Sequence, residues 1–256
     1  MAEVHPSAVV DERAKIAHDV RIGPYAVVGE GVELACGVEV GAHAVLTGRT
    51  AIGSRTRIHP GCAIGGEPQI RGAREGAALA IGEDNEIREF AVIHAGSPPG
   101  GCTRIGDGNY LMNHVHVAHD CRIGSHCVLA SYTALAGHAR IDDHAVTGAF
   151  TGVHQWSRIG ESAFTAANTM VSMDVPPFTR AAGDRARLVG LNALGLSRRG
   201  IGADAVAALR HAYHLLFQSK LRLATALERV RRECGAVPEV ERLLRFITES
   251  ERGSVR

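Results

Sequence analysis

An aliphatic residue recurs at every sixth position through most of this chain, and no other feature restricts the fold as much. Val4, Val10, Ile16, Ile22, Val28, Leu34, Val40, Leu46, Ile52, Ile58 and Ile64 open the series, and Ile81, Ile87 and Ile93 resume it. Ile105, Leu111, Val117, Ile123, Leu129, Leu135, Ile141, Val153, Ile159 and Val171 complete it, with threonine at two of its positions, Thr147 and Thr165. A period of six fits neither an alternating strand nor a helix. It fits a parallel β-helix, in which each hexad is a short strand plus a corner and three hexads make one triangular coil. One aliphatic per hexad points into the prism, and a small residue four positions later packs the corner. Composition agrees: with 4% aromatics and 30 glycines, the core has to be thin and built from small aliphatics. About 26 hexads stack into roughly nine coils at the ~4.8 Å strand spacing.

Two stretches break the period. Gly65–Gly76 and Gly96–Cys102 are polar and off-register, so both are expected to leave the prism as loops, where rigid scaffolds tend to carry function. The series stops at Asp174-Val175-Pro176-Pro177, where two prolines are expected to end ladder pairing before a linker through Gly190. Beyond it the apolar spacing turns helical over Ala203–Gln218, Leu221–Cys234 and Pro238–Glu249, punctuated by glycines and a proline. The expected organisation is a β-helix over 1–190 and a helical domain over 191–256, which covers the otherwise unpaired last coil.

Charge and composition exclude several function classes. With 28 basic and 27 acidic residues, the chain lacks the excess expected of a general nucleic-acid binder. No apolar run reaches the ~18–20 residues of an integral membrane segment. The N-terminus lacks the basic and apolar regions of a secretory signal. The six cysteines show neither paired secretory spacing nor a CxxC, so a cytoplasmic protein with reduced thiols is expected. Cys121 and Cys127 stand one repeat apart, which reads as repeat packing.

The period also places the histidines. Residues 18 apart stack along the prism axis, so His119, Gly137 and Gln155 form one column, with Asp120, His138 and Trp156 beside it. His116 lies on the same coil as His119, and His154 adjoins Gln155. Such a cluster suits an imidazole general base oriented by a carboxylate. It equally suits zinc held by several histidines, with Asp120 bonded to a ligand.

The repeat, the run Asn113-His114-Val115-His116-Val117-Ala118-His119-Asp120, Leu135-Ala136-Gly137-His138, Val153-His154-Gln155 and the turn Gly195-Leu196-Ser197-Arg198-Arg199-Gly200 together resemble the bacterial UDP-N-acetylglucosamine O-acyltransferases, over nearly the whole chain. That resemblance implies a left-handed parallel β-helix, a homotrimer with sites between subunits, and no cofactor or metal. The implied reaction moves an (R)-3-hydroxyacyl chain from acyl carrier protein to the 3-hydroxyl of UDP-GlcNAc in lipid A synthesis. By the same resemblance His119 is the base, Asp120 its orienting partner and Gly137 the backbone oxyanion donor. Gln69, His116, His138, His154, Gln155, Asn192, Arg198 and Arg199 are implied to bind substrate, and Ala167 to limit acyl length. Arg210 and Arg222 on the predicted helices are further candidates to meet an acidic carrier protein. The first loop departs from the family pattern Gln-Asp-Leu-Lys-Tyr, reading Gln69-Ile70-Arg71-Gly72, and Leu194 stands where an acidic residue is usual. These departures leave the 3-amino analogue of UDP-GlcNAc, or another UDP-sugar, as an alternative acceptor. A γ-carbonic-anhydrase-like zinc enzyme is the alternative chemistry on this fold.

Overall fold

Strands of two residues carry the repeat: in Arg21–Ile22, His116–Val117 and Arg140–Ile141 the first side chain faces outward and the second is buried. So short a strand has no stability alone; it persists because identical neighbours pair with it above and below. The computed structural model describes residues 1–73 and 76–256; residues 74 and 75, in the first predicted loop, lie outside the described residues. Among the described residues the strands form three sheets of eleven, nine and eight strands, and through the repeat every third strand pairs in parallel. Val117 lies opposite Leu135 and Ile123 opposite Ile141, the 18-residue register expected from the sequence. The chain is thus a parallel β-helix with three faces: the first begins at Glu3–Val4, the second at Val9–Val10 and the third at Lys15–Ile16. Inside run Leu46, Ile64, Ile87, Ile93, Leu111, Leu129, Leu135 and Ile159, all fully buried. Each is worth about 1.5–3 kcal/mol of apolar burial.

Both loops leave the same corner. One departs after Ala63–Gly66 and the other after Val92–His94, each a strand of the second face, and each returns to the third face at Ala78–Ile81 and Cys102–Ile105. The next coil carries His119 at that corner.

The end of the repeat differs from expectation. Val175 still pairs with Ile159, and the Gly160 N–H donates to the Val175 carbonyl at 2.9 Å. The two prolines then sit at the following corner, where no ladder N–H is required. Thr179–Ala182 continues the first face beside Phe164–Thr165 and turns back through the antiparallel strand Arg187–Leu191. The expected linker is therefore mostly a β-hairpin.

The helices that follow are α1 (Ala193–Arg198), α2 (Ala203–Tyr213, continued by a π-helical turn His214–Gln218), α3 (Leu223–Cys234) and α4 (Pro238–Thr248). Their apolar faces pack on one another through Leu209, Leu216, Val230 and Leu243, and Phe178 of the prism joins that cluster. Arg158 fastens the helices to the last coils: its guanidinium lies 4.1 Å over the Phe246 ring and donates to the Phe246 carbonyl at 2.9 Å. The sequence pattern missed α1, which is six residues long with Gly195 inside it.

Candidate active site

The corner between the second and third faces builds a cleft of roughly 830 Å³ over the outer surface of the second face. His119 enters it half-buried, with Nδ1 2.8 Å from Asp120 Oδ2. Asp120 occupies the left-handed region at φ 59°, which a short polar side chain tolerates, and this turns its carboxylate back beneath the second loop. There the Ser97 N–H donates to both carboxylate oxygens, at 3.1 and 3.2 Å, while the Asp120 N–H donates to Thr103 Oγ1 at 2.8 Å. Burial works to raise the Asp120 pKa, but the hydrogen bonds from Ser97 and His119 outweigh it and hold the carboxyl below its ordinary value. An ionised Asp120 accepts only, so Nδ1 carries the proton and Nε2 offers its lone pair to the cleft.

Gly137 sits one coil away. A Cβ built on it would lie 2.6 Å from His119 Nε2 and Cε1, so a side chain here would occupy the imidazole's space. Its carbonyl accepts from the Trp156 N–H at 3.2 Å, and its own N–H has no acceptor among the described residues. The His119 imidazole and the Gly137 backbone therefore approach each other with no room for a side chain between them.

The other predicted residues divide into groups. Gln69, His116, His154 and Gln155 line the same cleft. Burial, and to a lesser degree His94, lowers the pKa of His116, whose Nε2 has no partner among the described residues. His94 packs edge-on to His116 with ring centres 5.3 Å apart, and its Nδ1 lies 2.6 Å from the Glu67 carbonyl, tying down the loop that presents Gln69. His138 packs edge-on to His119: its Nε2 is 3.7 Å from Asp120 Oδ2, and its ring stacks on Trp156 at 3.8 Å. Burial lowers the His138 pKa against the pull of Asp120.

Asn192, Arg198, Arg199 and Ala167 are elsewhere in the chain. Asn192 is buried, caps α1 by accepting the Gly195 N–H at 3.2 Å, and donates to the Ser162 carbonyl at 2.9 Å. Arg199 reaches Glu161 and Ser162 Oγ, each at 2.6 Å, on the corner between the third and first faces. Arg198 is exposed on α1. Ala167 lies on the remaining corner, after Phe164–Thr165 of the first face.

Sequence reasoning missed Ser97 and Thr103, the two residues that fix Asp120. Thr103 was within reach, since Cys121 minus 18 is 103; Ser97 was hidden in a loop with no register. Met170, which also lines the cleft, was within reach as well, since it lies opposite Gly152 in the column of His116; Arg185 and Arg252 lie beyond the repeat and gave no periodic signal.

His119, Asp120 and His138 bring three ligand-type atoms within 4.8 Å of one another. A metal in that triangle would need the Nδ1 lone pair, and Nδ1 is engaged as donor to Asp120. The hydrogen-bond pattern therefore suits an oriented base better than a metal ligand set.

Comparison with known proteins bears on the family and the fold. A family model described as UDP N-acetylglucosamine O-acyltransferase, domain 2, matches residues 174–255. One described as bacterial transferase hexapeptide (six repeats) matches residues 102–137. The chain is 46% identical over 258 residues to an acyl-[acyl-carrier-protein]–UDP-N-acetylglucosamine O-acyltransferase of Myxococcus xanthus, with all of both chains covered. Among solved structures it resembles the UDP-N-acetylglucosamine acyltransferase of Bacteroides fragilis, at 35% identity and a TM-score of 0.96, covering 99% of this chain and 100% of that one. The Arabidopsis UDP-N-acetylglucosamine acyltransferase is similar at 35% identity and a TM-score of 0.87, with 99% and 100% covered.

Proposed function

We propose, from the premise that this chain belongs to the UDP-N-acetylglucosamine O-acyltransferase family, that it transfers an (R)-3-hydroxyacyl chain from acyl carrier protein to the 3-hydroxyl of UDP-GlcNAc in lipid A synthesis. The observation that carries the mechanism is the His119–Asp120 bond at 2.8 Å facing the Gly137 backbone. A sugar hydroxyl is a poor nucleophile at neutral pH and needs a base that is unprotonated there. His119 Nε2 takes the hydroxyl proton as the oxygen attacks the thioester carbonyl, and Asp120 stabilises the imidazolium. The Gly137 N–H donates to the oxyanion. Collapse expels the phosphopantetheine sulfur, which recovers the proton from His119.

Gln69, His116, His154 and Gln155 hold the substrates in the cleft, and His138 keeps Asp120 and Trp156 in place. Asn192, Arg198, Arg199 and Ala167 serve the site of another copy, because a single chain spreads them over different corners. This split supports a homotrimer with sites between subunits. Reduced, unpaired cysteines support a cytoplasmic setting, and no helix among the described residues is long and apolar enough to cross a membrane.

The test is mass spectrometry of the reaction with 3-hydroxyacyl carrier protein and several nucleotide sugars. His119→Ala is expected to lose about 10²–10⁴ of kcat. A loss below about tenfold removes the base assignment, and an N-acyl product overturns the acceptor. Sedimentation reads the trimer, and mixing inactive His119→Ala chains with inactive Arg199→Ala chains should restore part of the activity.

A further inference from the structure

The third face carries an unexplained row of arginines. Arg104, Arg122, Arg140 and Arg158 are outward residues of successive strands, directly opposite one another in register. Arg158 is occupied by Asp174 at 3.0 Å and by Phe246. Arg104, Arg122 and Arg140 are exposed and have no ion-pair partner among the described residues. Lower on the same face Lys15 and Glu33 are paired at 2.7 Å, so the column is not uniformly basic. The chain's net charge is only +1, so the row does not reflect a generally basic protein. Like charges directly opposite across strands repel, and three in a row cost stability unless something anionic covers them.

We propose that Arg104, Arg122 and Arg140 are the docking surface for an acidic helix of the carrier protein that brings the acyl chain, an inference that rests on the donor named above. The spacing fits: rungs stand ~4.8 and ~9.6 Å apart along the prism, and carboxylates at i, i+3 and i+7 of a helix rise ~4.5 and ~10.5 Å. The place fits as well. Arg122 follows His119 by three residues, at most about 11 Å of chain, so a carrier on this face holds its prosthetic arm beside the corner that bears the base. The groove over the row is flanked on one side by Asp107, Asp142 and Asp143. Those carboxylates oppose a broad anionic membrane surface, whereas a single narrow helix can lie along the arginines and clear them.

The test compares Arg104→Gln/Arg122→Gln/Arg140→Gln, the triple Lys variant and Arg210→Gln/Arg222→Gln. Donors are 3-hydroxyacyl carrier protein and the same acyl group on pantetheine. The Gln triple is expected to raise KM for carrier protein about tenfold or more, leave kcat within about twofold, and leave turnover of the pantetheine thioester unchanged. The Lys triple should restore most of the loss, and added salt should weaken the wild type but not the Gln triple. An unchanged carrier KM overturns the proposal, as does an equal loss with pantetheine thioester or a KM effect confined to the Arg210/Arg222 variant. Loss of phosphatidylglycerol-vesicle binding with unchanged carrier KM overturns it in favour of a lipid contact. Failure of the wild type to use hydroxyacyl carrier protein would instead remove the donor assignment itself.

Discussion

Replacing Gly137 by Ala isolates the geometry on which the catalytic reading depends. The added methyl carbon would fall 2.6 Å from His119 Nε2 and Cε1. Ordinary contact needs about 3.5 Å, so the ring has to retreat by roughly 0.9 Å. Its Nδ1 bond to Asp120 is 2.8 Å long, and a retreat of that size stretches it past the limit of a hydrogen bond or tilts the ring out of line. Gly137 is not in the left-handed region, so alanine meets no backbone strain, and the backbone N–H is retained. The loss then reports crowding of the gap between the His119 imidazole and the Gly137 backbone. Misplacing a catalytic group by about 1 Å costs on the order of 10² in rate, and Gly137→Ala is expected to lose that much kcat with little change in Tm.

The control is Gly53→Ala, whose Cβ would meet the Gly82 backbone carbonyl carbon at 2.5 Å, far along the prism from the cleft. It should lower Tm and spare kcat. Steady-state kinetics with thermal unfolding of both variants decides the matter. Gly137→Ala retaining more than about a tenth of wild-type kcat, or losing activity only in proportion to stability, would refute the reasoning.

Burial raises the Asp142 pKa to about 6, so its contribution to stability is intact below the ordinary carboxyl value and is lost as pH rises through about 6. Asp142→Asn should therefore stabilise by up to about 3 kcal/mol near pH 8 and hardly at all near pH 4; equal Tm gains at both pH values would contradict this. Cys121 and Cys127, pushed up to about 12 by burial inside the prism, should resist alkylation in the native protein while exposed Cys36 reacts, as read by peptide mass mapping. Ala167→Met should shift donor preference by several methylenes toward shorter chains, each worth about 10–200-fold in kcat/KM, and an unchanged preference across chain lengths would sink its role as the limit.

The β-helix was legible because its period is enforced physically: every hexad needs one inward residue at the same place, and Val4 through Val171 supply it, as aliphatics except at Thr147 and Thr165. The column of His119 and Gly137 followed from that period, as did His138 under Trp156. What the period cannot describe stayed hidden. Ser97 holds Asp120 from a loop with no register, so no spacing rule reaches it. The prolines at 176 and 177 were misread because proline forbids a ladder position but is at home in a corner, and sequence alone does not say which of the two it occupies. Asn192 read as a ligand contact, yet in this chain it caps α1 and bonds Ser162, a local role that any substrate contact has to share.

The corner between the second and third faces explains why chemistry collects where it does. A continuous β-helix is uniform along its length, so a site needs something that breaks the symmetry. Here two consecutive coils open at one corner and send out both loops, and the next coil places a histidine at the same corner. The loops reach back over that coil: Ser97 bonds Asp120, and Glu67, held by His94, presents Gln69. One coil further, glycine leaves the room that the imidazole needs. The His119 imidazole is therefore held from below, through stacked coils, and oriented from above by backbone that the repeat does not constrain. Loop changes around Gln69 can then reshape the cleft without disturbing the His119–Asp120–Gly137 geometry, and the atypical Ile70-Arg71-Gly72 segment leaves that geometry intact.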